Sequence, residues 1–376
     1  MTSDTVFPER EQAVSPPAPR APHADQVLLL SPSLGLGGGI ERYVEAIKSA
    51  FDDAGVASQR LALSRPGPTG HRALLAQATA ALAGAAPPTR VIVAHRALVP
   101  VATLLARNRA VSGISVICHG SDVWGNRSMP RHWLENRLMR RRDVRLVAAS
   151  SFTAGALFPG CRATILPPGL SRTWFSELTS AADQLDAGYG HVPLAGLEVM
   201  TAFRLAEWRD KGLPELTAAI ASLGRADIRL TVCGSGVPSA DLLAHVGSYP
   251  WCALRHGLTD TDLAAQFARS SLFVLATRTR PGRRPCGEGF GLVLIEAQVA
   301  GTAVVGPAHG GSSDAYLDGV TGATPRDESV TALAQVLGEL TRQPASLGAM
   351  GKRGAALARA RFAPGRYAAL AADRLL

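Results

Sequence analysis

Gly287-Glu288-Gly289-Phe290-Gly291-Leu292-Val293-Leu294-Ile295-Glu296-Ala297 is the stretch whose reading decides the fold. An apolar β-like run over 271–277 precedes it and a second over 303–306 follows it. Residues 291–300 read as a helix stopped by Gly301, a residue type that accepts the left-handed conformation at a helix end. A strand, loop, helix and strand in series need a crossover connection, which predicts a parallel sheet. Leu292, Val293, Leu294, Ile295 and Val299 leave this helix without a polar face, so it should be buried. A carboxylate in such surroundings is costly unless a ligand or a partner satisfies it. Glu288, before the helix, and Glu296, in its second turn, therefore require an explanation.

The bulk properties narrow the class. A chain of 376 residues is long enough for two domains with separate cores. Hydrophobic residues make up 47% and aromatic residues 5%, a globular α/β composition rather than a disordered one. The formal net charge of +9 favours anionic partners such as phosphates. The charge is spread along the chain, and its one dense run, Arg140-Arg141-Arg142, has no interleaved aromatics, which argues against nucleic acid. Five cysteines show no CxxC or Cys/His spacing and read as buried thiols of a cytoplasmic protein. No apolar run approaches the roughly 18 residues of a membrane span, and the charged N-terminal stretch does not read as a signal peptide.

Taken in order, residues 1–25 read as a disordered tail. A doubly wound, Rossmann-like domain is expected over 26–175, from alternating β-like runs and amphipathic helices. Pro167-Pro168-Gly169 and an irregular stretch over 176–193 break the alternation and place the domain boundary. A second Rossmann-like domain is expected over 190–362, followed by an Ala/Leu-rich helix over 364–376.

Several features carry chemistry. The loop Gly35-Leu36-Gly37-Gly38-Gly39 opens a helix and offers backbone N–H groups to a phosphate. It is not a strict dinucleotide fingerprint, because Ile40 occupies the final glycine position. The second strand also ends in Leu63-Ser64-Arg65, with no acid to hold a ribose diol. His119-Gly120-Ser121-Asp122 follows an apolar strand, where open α/β sheets present ligand-binding residues. Arg204 ends another strand and Lys211 precedes a helix, forming a cationic clamp suited to a diphosphate. The helix start at Phe290 to Leu292 adds N–H groups and a partial positive charge. A carboxylate a turn further in can accept ribose hydroxyls, and one in the preceding loop can accept those of a sugar. Arg278, Arg280, Arg283 and Arg284 make the loop before Glu288 basic, either as a cover for an anionic substrate or as a solvated face.

The E-x7-E pair Glu288…Glu296, the Gly310-Gly311 turn, Arg204…Lys211-Gly212, Val232-Cys233-Gly234-Ser235-Gly236, His119-Gly120-Ser121-Asp122 and Gly37-Gly38-Gly39-Ile40-Glu41-Arg42 together resemble the retaining glycosyltransferases of family 4. The matches run in family order from about residue 27 to 370. The resemblance implies a GT-B fold, two Rossmann-like domains facing across a cleft, with the helix over 364–376 crossing back to the first. It implies a hexosyltransferase that moves a sugar from a nucleoside-diphosphate donor to an acceptor hydroxyl with retention, without a cofactor or a required metal.

By the same resemblance, Glu296 binds the ribose and Glu288 the donor sugar. Arg204 and Lys211 hold the diphosphate, His119 contacts the sugar near the reacting carbon, and Gly37 and Gly38 admit the phosphate. Gly289, Phe290, Gly291 and Leu292 form the donor cradle with amides after the Gly310-Gly311 turn, and Asp122 is an acceptor-side candidate. Where relatives commonly carry Glu after that turn, this chain has Ser312-Ser313-Asp314, and Arg209 is a further phosphate candidate. The helix over 131–142 reads first as an ordinary domain helix with a basic face, and second as a peripheral membrane contact. An epimerase or phosphorylase of the same fold, an NAD-dependent oxidoreductase and a non-catalytic sugar-nucleotide binder are the alternatives. Composition suggests a high-GC bacterial gene and natural-product or glycoconjugate biosynthesis. The acceptor is not legible.

Overall fold

The computed structural model describes residues 26–33, 38–84, 88–124, 129–157, 161–187, 196–280 and 285–376. The expected tail over 1–25, Gly37 of the glycine loop, and Arg283 and Arg284 lie outside the described residues.

Two parallel sheets form the molecule. The first contains β1 (Gln26–Ser31), β2 (Ser58–Ala62), β3 (Thr89–Val93), β4 (Val111–Cys118), β5 (Val144–Ala148) and β6 (Ala163–Ile165), in the order β2-β1-β3-β4-β5-β6. The second contains β7 (Leu197–Arg204), β8 (Ile228–Ser235), β9 (Cys252–His256), β10 (Leu272–Val274), β11 (Ala303–Val305) and β12 (Gly322–Ala323), in the order β12-β11-β10-β7-β8-β9. Every strand pair is parallel. Val27, Leu28, Leu29 and Leu30 are consecutive and all buried, as expected for a strand covered by helices on both faces. The strand order reverses between β1 and β3 in one sheet and between β7 and β10 in the other. Open α/β sheets bind ligands at the carboxyl ends of strands flanking such reversals.

The quoted stretch behaves as expected at its centre. The helix Leu292–Val299 has Leu294, Ile295, Ala297 and Val299 fully buried, each large side chain contributing on the order of 1.5–3 kcal/mol. Its residues belong to an apolar cluster that also takes in Tyr43 and Ile47 beside the first sheet and Phe267 and Phe273 of the second.

One expectation is corrected in the connection between the sheets. Residues 176–193 are not all irregular, because the helix Arg172–Asp186 occupies the first part. Ser171 caps it, its Oγ accepting the N–H of Trp174 at 3.3 Å. Trp174, Leu178 and Ala182 form its buried stripe, at the spacing that keeps side chains on one helix face. Earlier in the chain, the helix expected over 131–142 is slightly shorter, running Met129–Met139. Arg141 lies beyond it and pairs with Asp143 at 2.6 Å. Nor are all the cysteines buried: Cys118 and Cys233 are, whereas Cys161, Cys252 and Cys286 are half-buried, and all five are free thiols.

The last helix, Pro364–Leu375, leaves the second sheet and packs against the helix Gly39–Asp53 beside the first. Ser115 of β4 donates through Oγ to the carbonyl of Leu375 at 2.8 Å, and Tyr367 donates to the carbonyl of Pro167 at 3.1 Å. Among the described residues no helix is long and apolar enough to cross a membrane.

Candidate active site

The carboxyl ends of the two sheets face one another across a cleft with two adjoining lobes of about 410 and 430 Å³. Gly38, Arg204, Lys211, Glu288, Gly291 and Leu292 line both lobes. His119, Gly289 and Phe290 line the first, and Glu296 the second. Residues from five separate places in the chain are thus brought to one cavity. Asp122 lines neither lobe. Its Oδ1 accepts the backbone N–H of His119 at 3.0 Å and of Gly120 at 2.8 Å, so that oxygen holds the loop that presents His119.

Among the described residues, two helices that begin at the cleft, and a third that begins just after Lys211, have glycine N-caps. Gly38, Gly212 and Gly291 precede the helices Gly39–Asp53, Leu213–Ser222 and Leu292–Val299, and none supplies a side-chain cap. Ser171, Ser239 and Ser329, by contrast, cap their helices with a hydroxyl. The first N–H groups of a helix need an acceptor, and without a capping oxygen they are available to an anion. At Gly38, φ is +129° and a Cβ would stand 3.6 Å from the Arg204 side chain, so the loop's backbone lies directly against the clamp. Gly289 is tighter, since a Cβ there would meet the carbonyl oxygen of His119 at 1.8 Å.

The charges in the cleft are paired. Lys211 Nζ lies 3.0 Å from Glu288 Oε2, which also accepts the hydroxyl of Thr277 at 3.0 Å. Burial would pull Lys211 down, but Glu288 overrides this and holds the ammonium above its ordinary value. Arg204 pairs with Glu207 at 2.6 Å while remaining half-exposed. His119 Nε2 lies 2.6 Å from the carbonyl of Ala94, which makes Nε2 the protonated nitrogen. The ring is wedged edge-on against Tyr43 and stacked on His95, with centroids 5.4 and 5.7 Å away. The Gly311 N–H donates to the carbonyl of Glu288 at 2.9 Å and so fixes the loop around the cleft.

The remaining arginines have other partners. Arg209 pairs with Asp241 at 3.0 Å and stacks over Trp208, with its guanidinium 4.0 Å from the ring centre. Arg278 faces Glu215 and Glu328, and Arg280 pairs with Asp210. Their contacts hold the loop before Glu288 against its own domain. Beyond the cleft, Trp133 on the helix Met129–Met139 is 61% exposed, and Arg137 lies over its ring at 5.4 Å.

Comparison with known proteins follows the same lines. Residues 197–343, which span the second sheet, match the family model described as "Glycosyl transferases group 1". The GDP-mannose-dependent alpha-(1-6)-phosphatidylinositol monomannoside mannosyltransferase of Mycolicibacterium smegmatis is 30% identical over 271 residues, 69% of this chain and 69% of that protein. The chain belongs to the group 1 glycosyltransferases. Its fold is GT-B. Sucrose-phosphate synthase from Thermosynechococcus elongatus superposes with a TM-score of 0.73 at 19% identity, covering 90% of this chain and 95% of that one. Anabaena HepE in complex with UDP-glucose superposes with a TM-score of 0.68 at 16% identity, covering 93% and 98%.

Two residues of this glycosyltransferase's site were not picked out by its sequence. The indole N–H of Trp174 donates to Glu296 Oε1 at 2.9 Å. Arg42 Nη1 lies 3.6 Å from the same oxygen, while Arg42 Nη2 reaches Asp260 at 3.0 Å. The protein itself therefore supplies part of what a buried carboxylate requires. Arg42 stood within the glycine-loop motif without a role. Trp174 had only the serine cap and the spacing of its own helix to announce it. Burial still raises Glu296 above the ordinary carboxylate range, opposed by Arg42 and by the Trp174 N–H.

Proposed function

We propose that this glycosyltransferase is a retaining, family 4 hexosyltransferase that moves a sugar from a nucleoside diphosphate to an acceptor hydroxyl. One observation carries the reading. An ion-paired Lys211–Glu288, Arg204 packed on Gly38, the uncapped helix start at Gly291 and the carboxylate of Glu296 line one cleft at the reversal point of the second sheet. The sequence is donor-shaped from end to end: a ribose acceptor, then cations and helix N–H groups for a diphosphate, then Glu288 and His119 beyond.

In this reading Glu296 takes the ribose hydroxyls, and the amides at Gly291 and Leu292 take phosphate oxygens. The bond between the anomeric carbon and the leaving phosphate oxygen breaks as the bond to the acceptor oxygen forms on the same face. The acceptor proton passes to the departing diphosphate. Arg204 and Lys211 neutralise charge as it develops there, the kind of preorganised stabilisation that contributes most to such steps. Glu288 both anchors Lys211 and presents its other oxygen to the sugar, and His119 contacts the sugar from the opposite domain. No cofactor is used, and a metal is not required. The acceptor belongs to natural-product or glycoconjugate biosynthesis in a cytoplasmic setting. The mycobacterial relative is named for GDP-mannose and a phosphatidylinositol monomannoside, which makes GDP-mannose the first donor to try.

The test is a thermal-shift and turnover panel of GDP-, UDP-, ADP- and dTDP-sugars, with and without a chelator, on the parent and Glu296→Ala. One nucleoside diphosphate series should stabilise the parent equally in both conditions and fail to stabilise the variant. Stabilisation by NAD and by none of these donors would overturn the reading.

A further inference from the structure

Glu296 has more protein contact than its ribose role alone accounts for. A carboxylate end rotates broadly about its last side-chain torsion. Here the Trp174 N–H at 2.9 Å and Arg42 at 3.6 Å both engage Oε1, while Oε2 hydrogen-bonds to no described residue. The side chain lines the second lobe of the cleft, so fixing Oε1 leaves Oε2 as the oxygen available there. Trp174 is itself fixed. Its ring is 5% exposed, its backbone N–H is bound by Ser171, and the Arg42 guanidinium covers it 4.5 Å from its centre.

We propose that Trp174 is a positioning residue for nucleotide recognition, holding Glu296 so that one carboxylate oxygen is presented to the ribose diol. This rests on the reading of Glu296 as the ribose ligand. Trp174 belongs to the connecting helix and lies 122 positions from Glu296, so the donor site is completed by the segment joining the two domains. A ring that merely filled space beside Glu296 would serve without its N–H.

Trp174→Phe keeps the ring and removes the donor. Calorimetry with GDP and UDP, each against its 2′,3′-dideoxy counterpart, reads the effect on whichever nucleotide the parent binds more tightly. The variant should lose about tenfold in affinity for the ribonucleotide, the scale of a hydrogen bond to a charged group. It should bind the dideoxy form as the parent does, so discrimination between the two falls. The Trp174 N–H opposes the burial that raises Glu296, so its loss should also move the acid-side decline of binding to higher pH. Arg42, Glu45 and Asp260 around this carboxylate, and His256 in the same lobe, are common to parent and variant, so the shift reports Glu296.

Equal weakening of both nucleotides, or unchanged discrimination and an unchanged pH profile, would overturn the proposal. If Trp174→Phe does not fold, benzothienylalanine at position 174 removes the same N–H without changing shape and is judged by the same criteria. Glu296→Gln separates the two levels. If it leaves ribonucleotide affinity intact, the ribose reading fails and this proposal with it. If it abolishes affinity while Trp174→Phe matches the parent, only the positioning role fails.

Discussion

Lys211 and Glu288 meet at 3.0 Å with side chains 21% and 15% exposed, and each is the main neutralising partner the other has. Removing one member of a largely buried pair leaves the other desolvated and uncompensated. Lys211→Met should therefore lower stability by about 1–3 kcal/mol and turnover by about 10²–10³-fold, read by chemical denaturation and steady-state kinetics. Adding Glu288→Gln should restore most of the stability and none of the turnover, because only Arg204 of the two clamp cations then remains in the cleft. The pH dependence has a definite sign. The folded ammonium lies above its ordinary value, so the stability it contributes is full at neutral pH and is lost as pH rises from the ordinary value through the raised one. Residue type and motif order single out both side chains as candidates. The pairing between them, across 77 positions, does not show in a linear pattern.

At the scale of elements, helix beginnings were the most legible feature and contacts between distant helices the least. The helix starts near Gly39, Gly212 and Gly291 are expected from the sequence within a residue or two of where they lie, whereas the absence of a cap at each is seen only in the structure. The helix Arg172–Asp186 escaped because Pro167-Pro168-Gly169 signals a break just before it and its buried stripe is only three residues wide. Its packing on the helix Asp260–Arg269 depends on chain folding rather than on local spacing. Ser171→Ala should cost about 1 kcal/mol in chemical denaturation, the usual effect of losing a hydroxyl cap. Because that cap bond ends on the N–H of Trp174, the loss should also weaken ribonucleotide binding, though less than Trp174→Phe does. Unchanged stability would show that the helix does not depend on its cap.

Across the whole molecule, the two domains share one apolar cluster, and beside the cleft they also touch through small and specific groups. The His119 carbonyl leaves no room for a Cβ at Gly289, and Ser150 and Gly289 leave none at Gly311. Asp314 accepts the backbone N–H and hydroxyl of Ser151 at 2.6 and 2.7 Å, giving the departure Ser312-Ser313-Asp314 a bridging contact. Gly289→Ala would hold the domains apart by about 1 Å or more. Such a misplacement should lower kcat by about 10²-fold and nucleoside diphosphate affinity by much less, because Lys211, Glu288 and the helix start at Gly291 all lie on the second domain. Small-angle scattering should show the donor-bound variant keeping a larger radius of gyration than the donor-bound parent. A variant as compact and as active as the parent would mean that this contact does not set the spacing of the domains.

The helix Pro364–Leu375 adds a constraint of a different kind, on the order in which the protein is made. Tyr367 and Leu375 are almost completely buried beside the first sheet, which the ribosome delivers some two hundred residues earlier. Domains usually fold as they emerge, the N-terminal one first. Here the first domain exposes the apolar surface around Tyr43 until residues 364–375 have left the ribosome, so the domain synthesised first is completed last.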